Sequence, residues 1–231
     1  MIRASLSRNL DSIRERIRAA ALRAGRDPAE ITLVVVTKSV SIDVFPVLRE
    51  LGIQDIGENR VHALVERRAA FPASFRWHLI GSLQRNKVGD ALPAADLIHS
   101  MDSLRLAEKI QEVAIRQDRT VDVLLEVNAS GESTKHGLAP GELPACVDRV
   151  LSLDRLRLAG LMTMASVAED PEETRPTFRR LAELHRAEGR RVGKGRLGPH
   201  LSMGMSQDFE VAIEEGATLV RIGTACFEPG E

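Results

Sequence analysis

Short apolar runs of strand length recur along this chain, and the stretches between them have the length and spacing of helices. The clearest run is ITLVVVT, Ile31 to Thr37, continuous and rich in β-branched residues, with no polar alternation. A strand that is apolar at every position has to be covered on both faces, as in a parallel sheet flanked by helices. Further runs follow at Asp55 to Gly57, Trp77 to Gly81, Leu97 to Met101, Val121 to Val127, Leu158 to Met164, His200 to Met203 and Thr218 to Gly223. Helices are expected from about Val44 to Leu51, from about Asn59, and over Leu104 to Arg116, Leu143 to Leu151, Thr174 to Glu188 and Phe209 to Glu214. Most are near the length that a parallel crossover needs.

About eight such units predict a closed (βα)8 barrel of the TIM type, an α/β fold. An open doubly wound sheet is the alternative, but no GxGxxG turn follows the first strand. Ahead of that strand, Leu6, Leu10, Ile13, Ile17, Ala20 and Ala24 recur at three- and four-residue spacing, with Gly25 where a C-cap belongs. Little chain remains after the eighth strand, so this N-terminal helix, residues 1–25, is expected to complete the outer ring of one barrel domain spanning 1–231. RVGKGRLGP, Arg191 to Pro199, reads as a mobile surface loop before the seventh strand.

Charge narrows the range of partners. With 32 basic and 33 acidic residues the net charge is -1, too little to draw the chain onto nucleic acid or an anionic membrane. No apolar run approaches the roughly 20 residues of a membrane span, and no secretory signal opens the chain. The Arg-rich start imitates a transit peptide, but Asp11 and Glu15 lie within it. The two cysteines, Cys146 and Cys226, form no CxxC, and no His/Cys cluster has metal-ligand spacing. The expectation is a small-molecule partner, no metal and a reducing cytoplasm.

Five of the basic residues are lysines, and one of them, Lys38, stands at the C-terminal end of the first strand. Barrel active sites are built at that end. Partial desolvation there favours a neutral amine able to attack an aldehyde, whereas a lysine that only packs its stem on the rim is the plainer alternative. LSMGMSQD, Leu201 to Asp208, joins a strand end, a glycine and a helix start at which Ser206 is a plausible cap. RIGT, Arg221 to Thr224, closes the eighth strand. Loops after strands 7 and 8 form the usual phosphate site of barrels, although each stretch alone could be a turn that needs glycine. An amine on strand 1 beside a phosphate grip fits a cofactor carrying both an aldehyde and a phosphate, which is pyridoxal 5'-phosphate. Arg221 is expected to point inward and donate to the pyridine nitrogen, with an ion pair to a mouth carboxylate as the alternative. Asn59 is either a helix cap or a donor to a ring substituent.

With VTKS around Lys38, GEN at Gly57 to Asn59, WHLIGSLQRNK at Trp77 to Lys87, NASGESTKHG at Asn128 to Gly137, GLMTM, SMGMSQD and RIGT in order, the chain closely resembles the pyridoxal phosphate homeostasis protein family. Leu79 departs from that family's usual Phe or Met, and the closing FEPGE from its usual Gly and Arg. The resemblance implies a fold type III pyridoxal phosphate barrel like the alanine racemase N-terminal domain. It implies an internal aldimine at Lys38, Asn59 near the ring and Arg221 at the pyridine nitrogen. It also implies phosphate contacts from Ser202, Gly204, Met205, Gly223 and Thr224. The implied role is to buffer and deliver the cofactor without established turnover; the short chain makes a monomer the expectation, with transient contacts to apo-enzymes.

Two rivals are enzymes. A racemase needs a base on each face of its substrate, the second being a tyrosine in alanine racemases, and this chain contains no tyrosine. It also lacks the length for a domain over the mouth, so water would enter; His78 or His200 would have to replace the missing base. A class I aldolase would use Lys38 on a sugar phosphate, and its preparation would stay colourless with added pyridoxal phosphate.

Overall fold

The computed structural model describes residues 2–132 and 136–228; Met1, Ser133, Thr134 and Lys135 of the NASGESTKHG stretch, and Pro229, Gly230 and Glu231 of the closing FEPGE lie outside them. Eight parallel strands close into a barrel in sequence order: β1 (Thr32–Val36), β2 (Asp55–Glu58), β3 (Arg76–Leu79), β4 (Leu97–Met101), β5 (Val121–Glu126), β6 (Leu156–Met162), β7 (His200–Ser202) and β8 (Leu219–Ile222). Closure is made by β1 against β8, with Val34 opposite Arg221. The ring of helices comprises α1 (Ile2–Arg23), α2 (Phe45–Glu50), α3 (Val61–Ala70), α4 (Val88–Ala91), α5 (Leu104–Arg116), α6 (Leu143–Leu151), α7 (Arg175–Val192), α8 (Phe209–Glu214) and α9 (Thr224–Phe227).

Two differences from the expected elements have local causes. The helix after β2 begins at Val61, two residues late, because Asn59 and Arg60 stay outside the helix. A one-turn helix, α9, does follow β8. It is too short to cover the barrel wall, and α1 packs beside it and against α8. The apolar stripe Leu6, Leu10, Ile13, Ile17 and Ala20 is buried there.

Most of the apolar core lies between strands and helices. Four of the seven aromatic residues gather on one side of it, Phe45 stacking on Phe71 and Trp77 while Phe75 meets them edge-on. Inside the barrel the apolar cluster is small: Val34, Leu97, Leu124, Met162 and Leu219. The rest of the described interior includes polar groups, so their hydrogen bonds decide what the barrel can do.

Candidate binding site at the barrel mouth

A cavity of about 520 Å³ opens at the C-terminal ends of the strands. Lys38 comes from the end of β1, Asn59 from β2, Ile80 from β3, Met164 from β6, and Met205 to Asp208 from the β7 loop. Arg221, Gly223 and Thr224 complete it from β8 and the start of α9. A larger cavity, about 760 Å³, lies outside the barrel between α3 and α4, with Arg60, Arg68 and Lys87 among its lining. It shares Asn59 but lacks both Lys38 and Arg221, so the amine and the buried guanidinium meet only at the mouth.

Lys38 is exposed, not partly buried. Among the described residues nothing buries its side chain, so the partial burial expected from its place after an apolar strand does not arise; the backbone around it is what is held. The Arg67 guanidinium of α3 donates to the carbonyls of Thr37 at 2.7 Å and Val40 at 2.9 Å, bracketing Lys38. Arg67 also pairs with fully buried Glu58, which accepts from the Thr37 hydroxyl as well. Glu58 is the middle residue of the GEN stretch, and neither it nor Arg67 was marked by the sequence; no periodicity separates a loop-pinning arginine from the many others.

Asn59 is exposed and caps nothing, since the N-cap of α3 is Arg60. Its backbone carbonyl presses on Gly81, where an added Cβ would stand 2.2 Å from it, so glycine is required after β3 to let the Asn59 turn lie against the barrel.

The β7 loop differs most from expectation. Ser202 is fully buried off the cavity wall, its hydroxyl taken up by Arg221 and His99. Gly204 is buried too, at φ +91°, and an added Cβ would meet Ala212 Cβ at 2.6 Å. Its part is to let the chain turn over α8, not to line the mouth. Of the residues named for the phosphate, Met205, Gly223 and Thr224 reach the cavity, and Ser206 joins them. Ser206 does not cap α8, whose N-cap is Asp208; its Oγ accepts from Ala225 N at 3.4 Å and links the two loops. The Asp208 carboxylate accepts from Met205 N at 2.6 Å and so shapes this turn; burial pushes its pKa up. The sequence marked the second serine of SMGMS only as a plausible cap; the fold turns it toward the mouth instead.

Arg221 is 4% exposed yet forms part of the cavity wall. It donates to Ser202 Oγ and to Thr163 O at 3.0 Å, and among the described residues no carboxylate comes close enough to pair with it. Burial lowers its pKa to about 10, opposed by the more distant charges of Asp208 and Glu126. A buried cation held only by neutral acceptors suits a ligand that brings acceptors and negative charge. His78 is fully buried off the wall with both ring nitrogens bonded, and His200 sits half-buried at the far end of β7. Neither is placed to act as a base in the cavity. Among the described residues no cluster of His, Cys, Asp and Glu could hold a metal ion, and no helix is long and apolar enough to cross a membrane.

Comparison with known proteins places this geometry. Residues 8–229 match the family described as alanine racemase, N-terminal domain. A pyridoxal phosphate homeostasis protein of Aquifex aeolicus is 44% identical over 219 residues, covering 94% of this chain and 95% of that one. The solved structure of PipY from Synechococcus elongatus PCC7942 with PLP bound has a TM-score of 0.83 at 28% identity, covering 96% of this chain and 100% of that one. An alanine racemase of Clostridium difficile 630, with a TM-score of 0.79 at 16% identity, shares the fold over 99% of this chain and 58% of its own.

Proposed function

Because the chain belongs to the family of pyridoxal phosphate homeostasis proteins, we propose that its mouth cavity binds pyridoxal 5'-phosphate and that the protein buffers and delivers this cofactor. The observation that carries the reading is the buried, carboxylate-free Arg221 guanidinium on the same cavity wall as Lys38. When bound, the cofactor would supply an electrophilic aldehyde and an anionic phosphate carried by one pyridine ring.

Lys38 Nζ would hold it covalently, on a loop that Arg67 keeps in place. Arg221 would donate toward the ring nitrogen and, as a permanent donor, keep that nitrogen unprotonated. Asn59 would contact the ring. Met205, Gly223 and Thr224 would hold the phosphate, with Ser206 in place of Ser202 and Gly204 in that role. The available volume suits a small phosphorylated ring.

Carriage is favoured over racemisation or aldol cleavage. The chain has no tyrosine, both candidate histidines are off the cavity wall, and Lys38 and Thr224 are exposed to water. An open mouth suits handing the cofactor on by transient contact with apo-enzymes. The reading also takes the barrel over 1–231 as one binding unit, acting as a monomer in the cytoplasm. Among the described residues the exposed large apolar side chains are divided among α1, α3, α5 and the loops after β1 and β6, which supports the monomer. Both cysteines are buried, burial raising their thiols to about 11 for Cys146 and about 12 for Cys226, which suits a reducing compartment.

The test is borohydride reduction of the protein with pyridoxal phosphate, followed by peptide mapping. Label at Lys38 and its disappearance in Lys38→Ala are expected; label at Lys87, Lys109, Lys135 or Lys194 in place of Lys38 would overturn the assignment. Delivery is tested by comparing activation of an apo-enzyme by the loaded protein with activation by the cofactor released into buffer. Equal rates would reduce the protein to a passive store.

A further inference from the structure

The polar groups inside the barrel are connected in series. Asp55 Oδ1 at the start of β2 lies 2.8 Å from His78 Nε2 on β3. His78 Nδ1 is 2.9 Å from His99 Nε2 on β4, and His99 Nδ1 is 2.8 Å from Ser202 Oγ on β7. Arg221 Nη1 on β8 donates to the same Oγ at 2.5 Å. The series crosses the barrel from the N-terminal end of β2 to the cavity wall, and His78, His99 and Ser202 are fully buried along it.

With both imidazoles neutral, the carboxylate end sets the direction of every bond. Asp55 only accepts, so His78 carries its proton on Nε2 and accepts from His99 at Nδ1. His99 then carries its own proton on Nε2, and its Nδ1 accepts from the Ser202 hydroxyl, whose Oγ accepts from the Arg221 guanidinium. The competing arrangement reverses His99 and makes His78 an imidazolium. Desolvation opposes it, holding both imidazoles below their ordinary value and His99 well below, where His78 and Arg221 add repulsion.

We infer that Asp55, His78, His99 and Ser202 are positioning residues for Arg221: a one-way hydrogen-bond relay that sets the orientation and donor strength of the guanidinium it presents to the ligand. The inference rests on the reading of the cavity as a pyridoxal phosphate site. Asp55 does not line the cavity, so its only bonded connection to the ligand site among the described residues is the relay.

The experiment has two arms. In the ligand-free protein, ring-nitrogen NMR of the histidines should show His78 and His99 both neutral and both protonated on Nε2; an imidazolium at either, or a proton on Nδ1 of either neutral ring, overturns the relay. In the loaded protein, Ser202→Ala and Asp55→Asn should each shift the absorption band of the bound cofactor and weaken its affinity by roughly threefold to tenfold. Asp122→Asn removes a carboxylate near the N-terminal end of β5 that is paired with Arg157, and should change neither. An Asp55→Asn band superposable on the unmutated one, or an equal shift in Asp122→Asn, overturns the relay even when Lys38 carries the label. Should the label fall on another lysine, the cofactor reading fails, while the ligand-free spectrum still decides the relay.

Discussion

Placing a reactive amine depends less on the lysine than on what holds its loop. Lys38 is exposed, and its backbone is held by two carbonyl contacts from Arg67, a residue in the next helix but one. Arg67 also pairs with Glu58, whose Oε2 has no hydrogen-bond partner among the described residues. Arg67→Ala leaves that carboxylate buried and uncompensated, and the expected loss is about 3–5 kcal/mol in urea unfolding. A loss below about 1 kcal/mol, the usual worth of an exposed pair, would show that Glu58 escapes to water. Thr224 is a different case, exposed and outside any core contact. Thr224→Ala should leave stability unchanged and weaken pyridoxal phosphate binding roughly tenfold, the lower range for one hydrogen bond to a charged group. A fluorescence titration measures it, and an unaltered affinity removes Thr224 from the phosphate grip.

The helices divide the stabilising work unequally. α1 joins the ring through an apolar stripe and through ion pairs, Arg16 with Glu210 and Arg23 with Glu214. Those pairs are partly exposed, and such pairs contribute about 0–1 kcal/mol. Leu10 is fully buried in the same interface. Leu10→Ala should therefore cost about 2–5 kcal/mol in denaturant unfolding, several times the effect of Arg23→Ala. Equal effects would mean that α1 is held by charge and that the stripe is incidental. Past the end of α1, Arg26 donates to the carbonyls of Ile213 and Ala217 at 2.8 Å each, satisfying acceptors at the C-terminal end of α8.

Taken as a unit, the barrel should be sensitive to acid. His78, His99 and His200 have values lowered mainly by desolvation. Unfolded histidines titrate near 6.5, so below about that pH the unfolded chain takes up protons that the folded form refuses. The stability these groups lend is complete above that pH and is lost as pH falls toward their folded values. Glu126 and Asp208, raised by burial, act in the opposite sense: the folded form takes up their protons first and recovers some stability at lower pH. Urea unfolding across the mildly acidic range should show stability declining as pH drops below about 6.5, and His99→Gln should flatten the decline. A slope unaffected by His99→Gln would mean that this ring protonates in place.

Eight parallel strands in chain order were legible because a doubly covered strand must be apolar throughout and its crossover must be helical; ITLVVVT and LIHSM carry that information locally. Lys38 and Arg221 were legible for the same reason, since the end of a strand in a barrel is a known place. Which serine faces the cavity was not legible. Ser202 and Ser206 are both small hydroxyl residues beside Gly204, and only the turn over α8 sends one inward to Arg221 and the other to the mouth. The same holds for Asp55, His78 and His99, which stand on three strands with no shared motif. Hydrogen bonds between them exist only once the strands have paired, because the register of neighbouring strands sets which side chains share the barrel interior, and register is a property of paired strands that neither partner carries alone.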